Sequence, residues 1–159
     1  MKKYELTAEF IEKWGKKLFR IKALISFGSV EAGELGGYVE KEDNLAQNGD
    51  SWVCDDAWVC DNARVCGDAR VCDNADYLLI GRIGSRFSFT TFFKNKDKGI
   101  TVSCGCFLGT IAEFRAKVTD THGNNKHAKI YNLAADMAEL QILGEEHIDK
   151  LNTNKSEPF

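Results

Sequence analysis

The sequence lacks histidine until His122, and the whole chain has three. A histidine base could therefore come only from its last part. A dominant charge is missing too: 21 Lys and Arg against 24 Asp and Glu leave a net charge of −3. No global basic field points to nucleic acid or to an anionic membrane. No uncharged apolar run reaches the roughly 18 residues that a membrane span needs. The opening MKKYELTAEF has neither an apolar stretch nor a small-residue cleavage site behind its two lysines. A cytoplasmic protein is expected, one that recognises partners through local surface and needs no membrane. At 159 residues the chain can bury a core without covalent staples.

What is present is a repeat. VCDDAW, VCDNAR, VCGDAR and VCDNAD run end to end from Val53 to Asp76, and tandem identity of this kind signals a stacked architecture. Each hexad places a β-branched residue and, four positions later, a small one inward, while the residues between them face out or turn the chain. A degraded frame continues as YLLIGR and IGSRFS, and a blurred coil with a two-residue insertion precedes the repeat in LGGYVEKEDNLAQNGDSW. The pattern resembles the hexapeptide repeat of left-handed parallel β-helices, in which three hexads make a triangular coil. That resemblance implies Val53 on Val71, Val59 on Tyr77, Val65 on Ile83 and Ala57 on Ala75. Cys54, Cys60, Cys66 and Cys72 follow the same period without a secretory signal, so reduced, outward thiols are expected rather than a disulfide framework.

The expected organisation is an N-terminal cap over 1–34, the β-helix over 35–86, a C-terminal ββαα module over 87–146 and a polar tail over 147–159. In the cap, KYEL and LFRIKAL read as short strands around a partly helical TAEFIEKW. In the C-terminal module, FSFTTFF and ITVSCGCF flank the turn NKDKG as a hairpin. Thr110 and Glu113 form a capping box for a first helix, with Ile111, Phe114 and Val118 on one side. A second helix from about Asn125 to Leu143 has Ile130, Ala134, Met137 and Leu140 on one stripe.

Many hexapeptide-repeat proteins transfer acyl groups from coenzyme A with a histidine base projecting from the coils. Here His122, His127 and His147 all lie outside the repeat, so an acyltransferase is the second reading, and no cofactor is expected. Cys104, Cys106, His122 and His127 are the candidate metal set. Cys-x-Cys is not the usual structural zinc spacing, and strand packing explains both thiols, so no metal is expected. What remains is surface: Trp52 and Trp58 beside Asp55, Asp56, Asp61 and Arg64. Asp and Asn are the residues that make turns, which accounts for the acids. Tryptophan in an outward slot instead suits an interface anchor, unless Trp58 lies beneath the N-terminal cap.

The whole chain resembles small repeat proteins encoded by bacteriophages and prophages, in which LGGYVE...NL, WV-x-D-x-A hexads and SCGCF-x-GT occur together. That resemblance implies an infected or lysogenic bacterial host. It also implies a non-enzymatic inhibitor of a host defence nuclease or other nucleic-acid enzyme, of the anti-CRISPR kind, with a structural virion component as a further alternative. A homo-oligomer is expected, with a host protein as partner and no direct contact to nucleic acid.

Overall fold

The computed structural model describes residues 1–146; the expected polar tail, with His147, lies outside the described residues. Strands β1 (Tyr4–Lys13), β2 (Lys16–Ala23), β3 (Leu35–Val39), β4 (Trp52–Val53), β5 (Trp58–Val59) and β6 (Arg70–Val71) form the N-terminal part. Strands β7 (Tyr77–Ile83), β8 (Ser88–Lys94), β9 (Ile100–Cys104) and β10 (Phe107–Thr110) lead into α1 (Ile111–His122) and α2 (Lys126–Leu143). One mixed sheet has the order β1-β2-β3-β5, an antiparallel sheet has the order β10-β9-β8-β7, and β4 pairs with β6 alone.

Within the repeat, Val53, Val59, Val65 and Val71 are buried together with Ala57, Ala63 and Ala69. Three turns between them use a left-handed residue at the third hexad position: Asp55, Asp61 and Gly67, with φ of 53°, 59° and 66°. Asp tolerates that conformation and Gly adopts it freely, whereas most residues do not.

The left-handed parallel β-helix is nevertheless overturned, because the sheets are antiparallel or mixed and the parallel pairing is short. Of the stackings that the repeat implied, strand pairing makes Val53 beside Val71. Val59 pairs with Val39 and Val65 with Leu45, both upstream of the repeat. The other supposed partners, Tyr77 and Ile83, belong to β7 and pair antiparallel with Phe93 and Ser88 of β8. The reason is length: four hexads end before a second coil is complete, so their backbone groups find partners elsewhere. Tyr38 and Glu40 donate to the carbonyls of Ala57 and Val59, Ala46 to Val65, Trp52 to Ala69 and Cys54 to Val71. Gly36 and Gly37 permit this close approach, since a methyl group on Gly37 would overlap the Ala57 carbonyl.

The antiparallel sheet forms a wall between two cores. Tyr77, Leu79 and Phe93 pack with the repeat valines, while Leu78, Ile80 and Phe92 pack with Phe114, Tyr131 and the alanines of α2. A sheet covered on both faces has no polar alternation, which is why YLLIGRI and FSFTTFF read as nearly continuous apolar runs. The expected two-stranded hairpin is thus a four-stranded sheet, with β10 turning back at Gly105.

Three local expectations are corrected. TAEFIEKW belongs to the long strand β1 and to a hairpin turn, because pairing with β2 extends from Tyr4↔Ala23 to Lys13↔Lys16. The buried stripe of α2 is Ala128, Tyr131, Ala134, Ala135, Ala138 and Ile142, with Met137 and Leu140 exposed. The repeat cysteines are not a uniform outward ladder: Cys54 and Cys72 are joined as a disulfide with Cα atoms 4.5 Å apart. Cys60 is buried, and burial pushes its thiol pKa up. The capping box of Thr110 and Glu113 forms as the spacing requires.

Gly37→Ala should destabilise the protein by about 1–3 kcal/mol in urea denaturation, the range for overpacking a tight site, whereas Gly15→Ala, which meets no neighbouring atom, should lose only its left-handed preference. Lys3 supplies a pH test. It is 2% exposed, its Nζ donates to the carbonyls of Gly49 and Ser51, and burial lowers its pKa to about 8. A lysine with a lowered folded-state pKa is penalised while both states are protonated, and the penalty is relieved as pH rises above about 8. Between pH 7 and 9.5 the wild type should therefore gain on the order of 1 kcal/mol relative to Lys3→Met. A pH-independent difference between the two proteins would show that Lys3 is not buried as a charge.

Candidate interaction surface

Strand register sets a row of side chains on the outer face of the mixed sheet, with Arg20 beside Tyr38 and Tyr38 beside Trp58. The Arg20 guanidinium lies 4.3 Å from the Tyr38 ring centroid and donates to the Tyr38 hydroxyl. It also donates to the Gly36 carbonyl at 2.7 Å and to the Asp56 carboxylate at 3.1 Å, and its Nε pairs with Glu9 at 3.3 Å. Burial works against the charge on Arg20, but the hydrogen bonds to Asp56 and Glu9 outweigh it and hold the pKa above its ordinary value. Nearby, Lys16 pairs with Asp61 and, at 3.7 Å, with Glu40. Rigid strands thus fix a set of carboxylates around the row.

Trp14 stands at the tip of the β1–β2 hairpin. Its φ is 49° and that of Gly15 is 76°, so both central turn residues occupy the left-handed region that a two-residue hairpin of the I′ type requires. Asn or Gly fills the first of these positions with little strain, whereas a bulky residue there is an outlier. Trp14 is nevertheless 76% exposed, and its ring meets Trp58 edge-on at 5.0 Å. Trp58 is half-buried over Leu18, Tyr38 and Cys60. The hairpin therefore lays one aromatic ring in water against a second that is rooted in the sheet.

The residues singled out in the sequence divide into three places. Trp58, Asp55, Asp56 and Asp61 come together at this corner. Asp55 is exposed, and its carbonyl accepts from Arg20 at 3.4 Å. Trp52 does not join them: it is 2% exposed, packed edge-on against Tyr4 and Phe27, and is a core residue. Arg64 lies in two adjoining clefts of about 260 and 360 Å³ that share Asp43, Ser103 and Gly105, and Asp61 also lines the first of them. Sequence reasoning missed Trp14, Arg20 and Tyr38. A signal existed for the first, since Trp14-Gly15 interrupts two β-rich runs at the two-residue spacing of a hairpin.

The candidate metal residues do not form a site. His122 and His127 lie at the α1–α2 connection with ring centroids 5.5 Å apart, and His122 stacks on Tyr131. Cys104 accepts from Thr90 at 3.2 Å, and Cys106 is exposed beside the β9–β10 turn. Among the described residues, no group of three or more His, Cys, Asp or Glu could hold a metal ion. Neither histidine lines the clefts around Arg64. No helix among the described residues is long and apolar enough to cross a membrane.

No family model matches the chain, and no curated protein matches it. The resemblance to hexapeptide-repeat proteins is accordingly overturned by the sheet topology, and no match supports the resemblance to phage-encoded proteins.

The two tryptophans should separate in stability. Trp58→Ala removes a half-buried ring and should cost roughly 2 kcal/mol, below the range for a fully buried tryptophan. Trp14→Ala removes a mostly exposed ring and keeps the same backbone conformation, so its melting temperature should stay within about 2 °C of wild type, as for an ordinary surface change. A large loss in the Trp14 variant would make that ring a structural clasp.

Proposed function

We propose that this protein is a non-enzymatic binding module that presents the Trp14–Trp58 corner to a protein partner. The observation that carries this reading is Trp14, a large ring held mostly in water at a backbone conformation that disfavours it. Stability alone selects against such a residue, whereas an aromatic anchor on a rigid scaffold is the commonest form of binding hot spot. Asp55 and Asp56 add exposed negative charge beside the rings. The partner best suited to this corner has an apolar pocket with a basic rim, as in a groove built for nucleic acid.

The test is capture with matched baits. Wild type should retain a partner that Trp14→Ala loses, with affinity weakened at least tenfold, equivalent to about 1.4 kcal/mol. Asp55→Lys should slow association and reduce its salt dependence while leaving dissociation largely unchanged. Equal binding by wild type and Trp14→Ala would reject the corner as the interface.

A further inference from the structure

Helix α2 is apolar on two sides. Four alanines, Ala128, Ala134, Ala135 and Ala138, occupy the side against the antiparallel sheet together with Tyr131 and Ile142. Other large side chains point away: Leu133, Met137 and Leu140 are 66%, 51% and 47% exposed, with Ile130 partly exposed beside them. A helix that only covers a sheet needs one apolar side, with polar residues on the other. Ile130, Leu133, Met137 and Leu140 are spaced three, four and three residues apart, the a/d pattern of a coiled-coil seam. α1 does not cover that seam, because it engages the flank through Arg115, which pairs with Asp136 and Glu139.

We infer that this seam is the contact between two copies of the chain, with their α2 helices antiparallel about a two-fold axis between Leu133 and Met137. In that arrangement Ile130 meets Leu140 of the second copy and Leu133 meets its Met137, so the four residues form a closed, self-complementary set. The charges agree with this pairing. Lys126 and Lys129 lie at the start of α2, and Glu145 and Glu146 lie just past its end. Antiparallel helices bring the basic end of each onto the acidic end of the other, and their dipoles oppose. A seam of four residues falls short of the roughly 800 Å² per partner of a standard interface. The dimer is therefore a dissociating one, with Kd on the order of 10 µM.

Sedimentation velocity of the full chain across a concentration series centred on that value tests this. Wild type should move from monomer to dimer mass as concentration rises. Met137→Lys, at an exposed position, should weaken the dimer at least tenfold without lowering the melting temperature. Lys126→Glu with Lys129→Glu should weaken it too, and adding Glu145→Lys and Glu146→Lys to the same chain should restore it. A wild-type protein that stays monomeric throughout would overturn the inference, as would a dimer indifferent to Met137→Lys. So would a chain that dimerises only when residues 147–159 are removed, because the seam would then be covered by its own C-terminal segment.

Discussion

Six backbone hydrogen bonds tie the repeat to the segment before it: the amides of Tyr38, Glu40, Ala46, Asp50 and Trp52 donate to the carbonyls of Ala57, Val59, Val65, Gly67 and Ala69, and the Val65 amide donates to the Asn44 carbonyl. Without them the inward valines would sit above a row of buried, unpaired carbonyls, each costing on the order of 1–3 kcal/mol. These bonds require Gly36 and Gly37 to pass close to the repeat, and they hold Tyr38 next to Trp58. The opposite edge is served by the C-terminal sheet, where Arg64 donates to the Thr91 hydroxyl and Lys96 to the Asp68 carbonyl. The repeat is thus held between two partners of different origin, and each partner brings a feature with functional meaning.

On the N-terminal side, closing the mixed sheet with the β1–β2 hairpin places Trp14 over Trp58. Arg20 then organises the surroundings by joining strand β2, the Tyr38 ring and the Asp56 carboxylate. A guanidinium stacked and bonded in this way loses little freedom when a partner arrives, so the corner is preorganised. On the C-terminal side, the double-faced sheet takes up α2 through four alanines with Tyr131 and Ile142, and a second set of large side chains on that helix faces outward.

Much of the local structure was legible from residues. The inward valines and alanines, the turn-making Asp55 and Asp61, and the Thr110–Glu113 cap all follow from neighbours within a few positions. What was not legible was non-local. Nothing in VCDNAR says that Val59 lies beside Val39 rather than Tyr77, because a valine meets the needs of either partner. TAEFIEKW has helix-compatible composition and becomes a strand through pairing across the Trp14–Gly15 turn. Trp52 and Trp58 hold the same hexad position, yet one is core and the other half-exposed, because Tyr4 and Phe27 cover only the first. In α2 a large-residue stripe and an alanine-rich stripe coexist, and hydrophobicity alone favours the wrong one.

The most direct measurement is the pattern of backbone nuclear Overhauser contacts across the repeat. Contacts are expected between Val39 and Val59 and between Leu45 and Val65, with Tyr77 contacting Phe93. Contacts between Val59 and Tyr77 and between Val65 and Ile83, in place of these, would contradict this pairing and return the repeat to a continuous parallel coil.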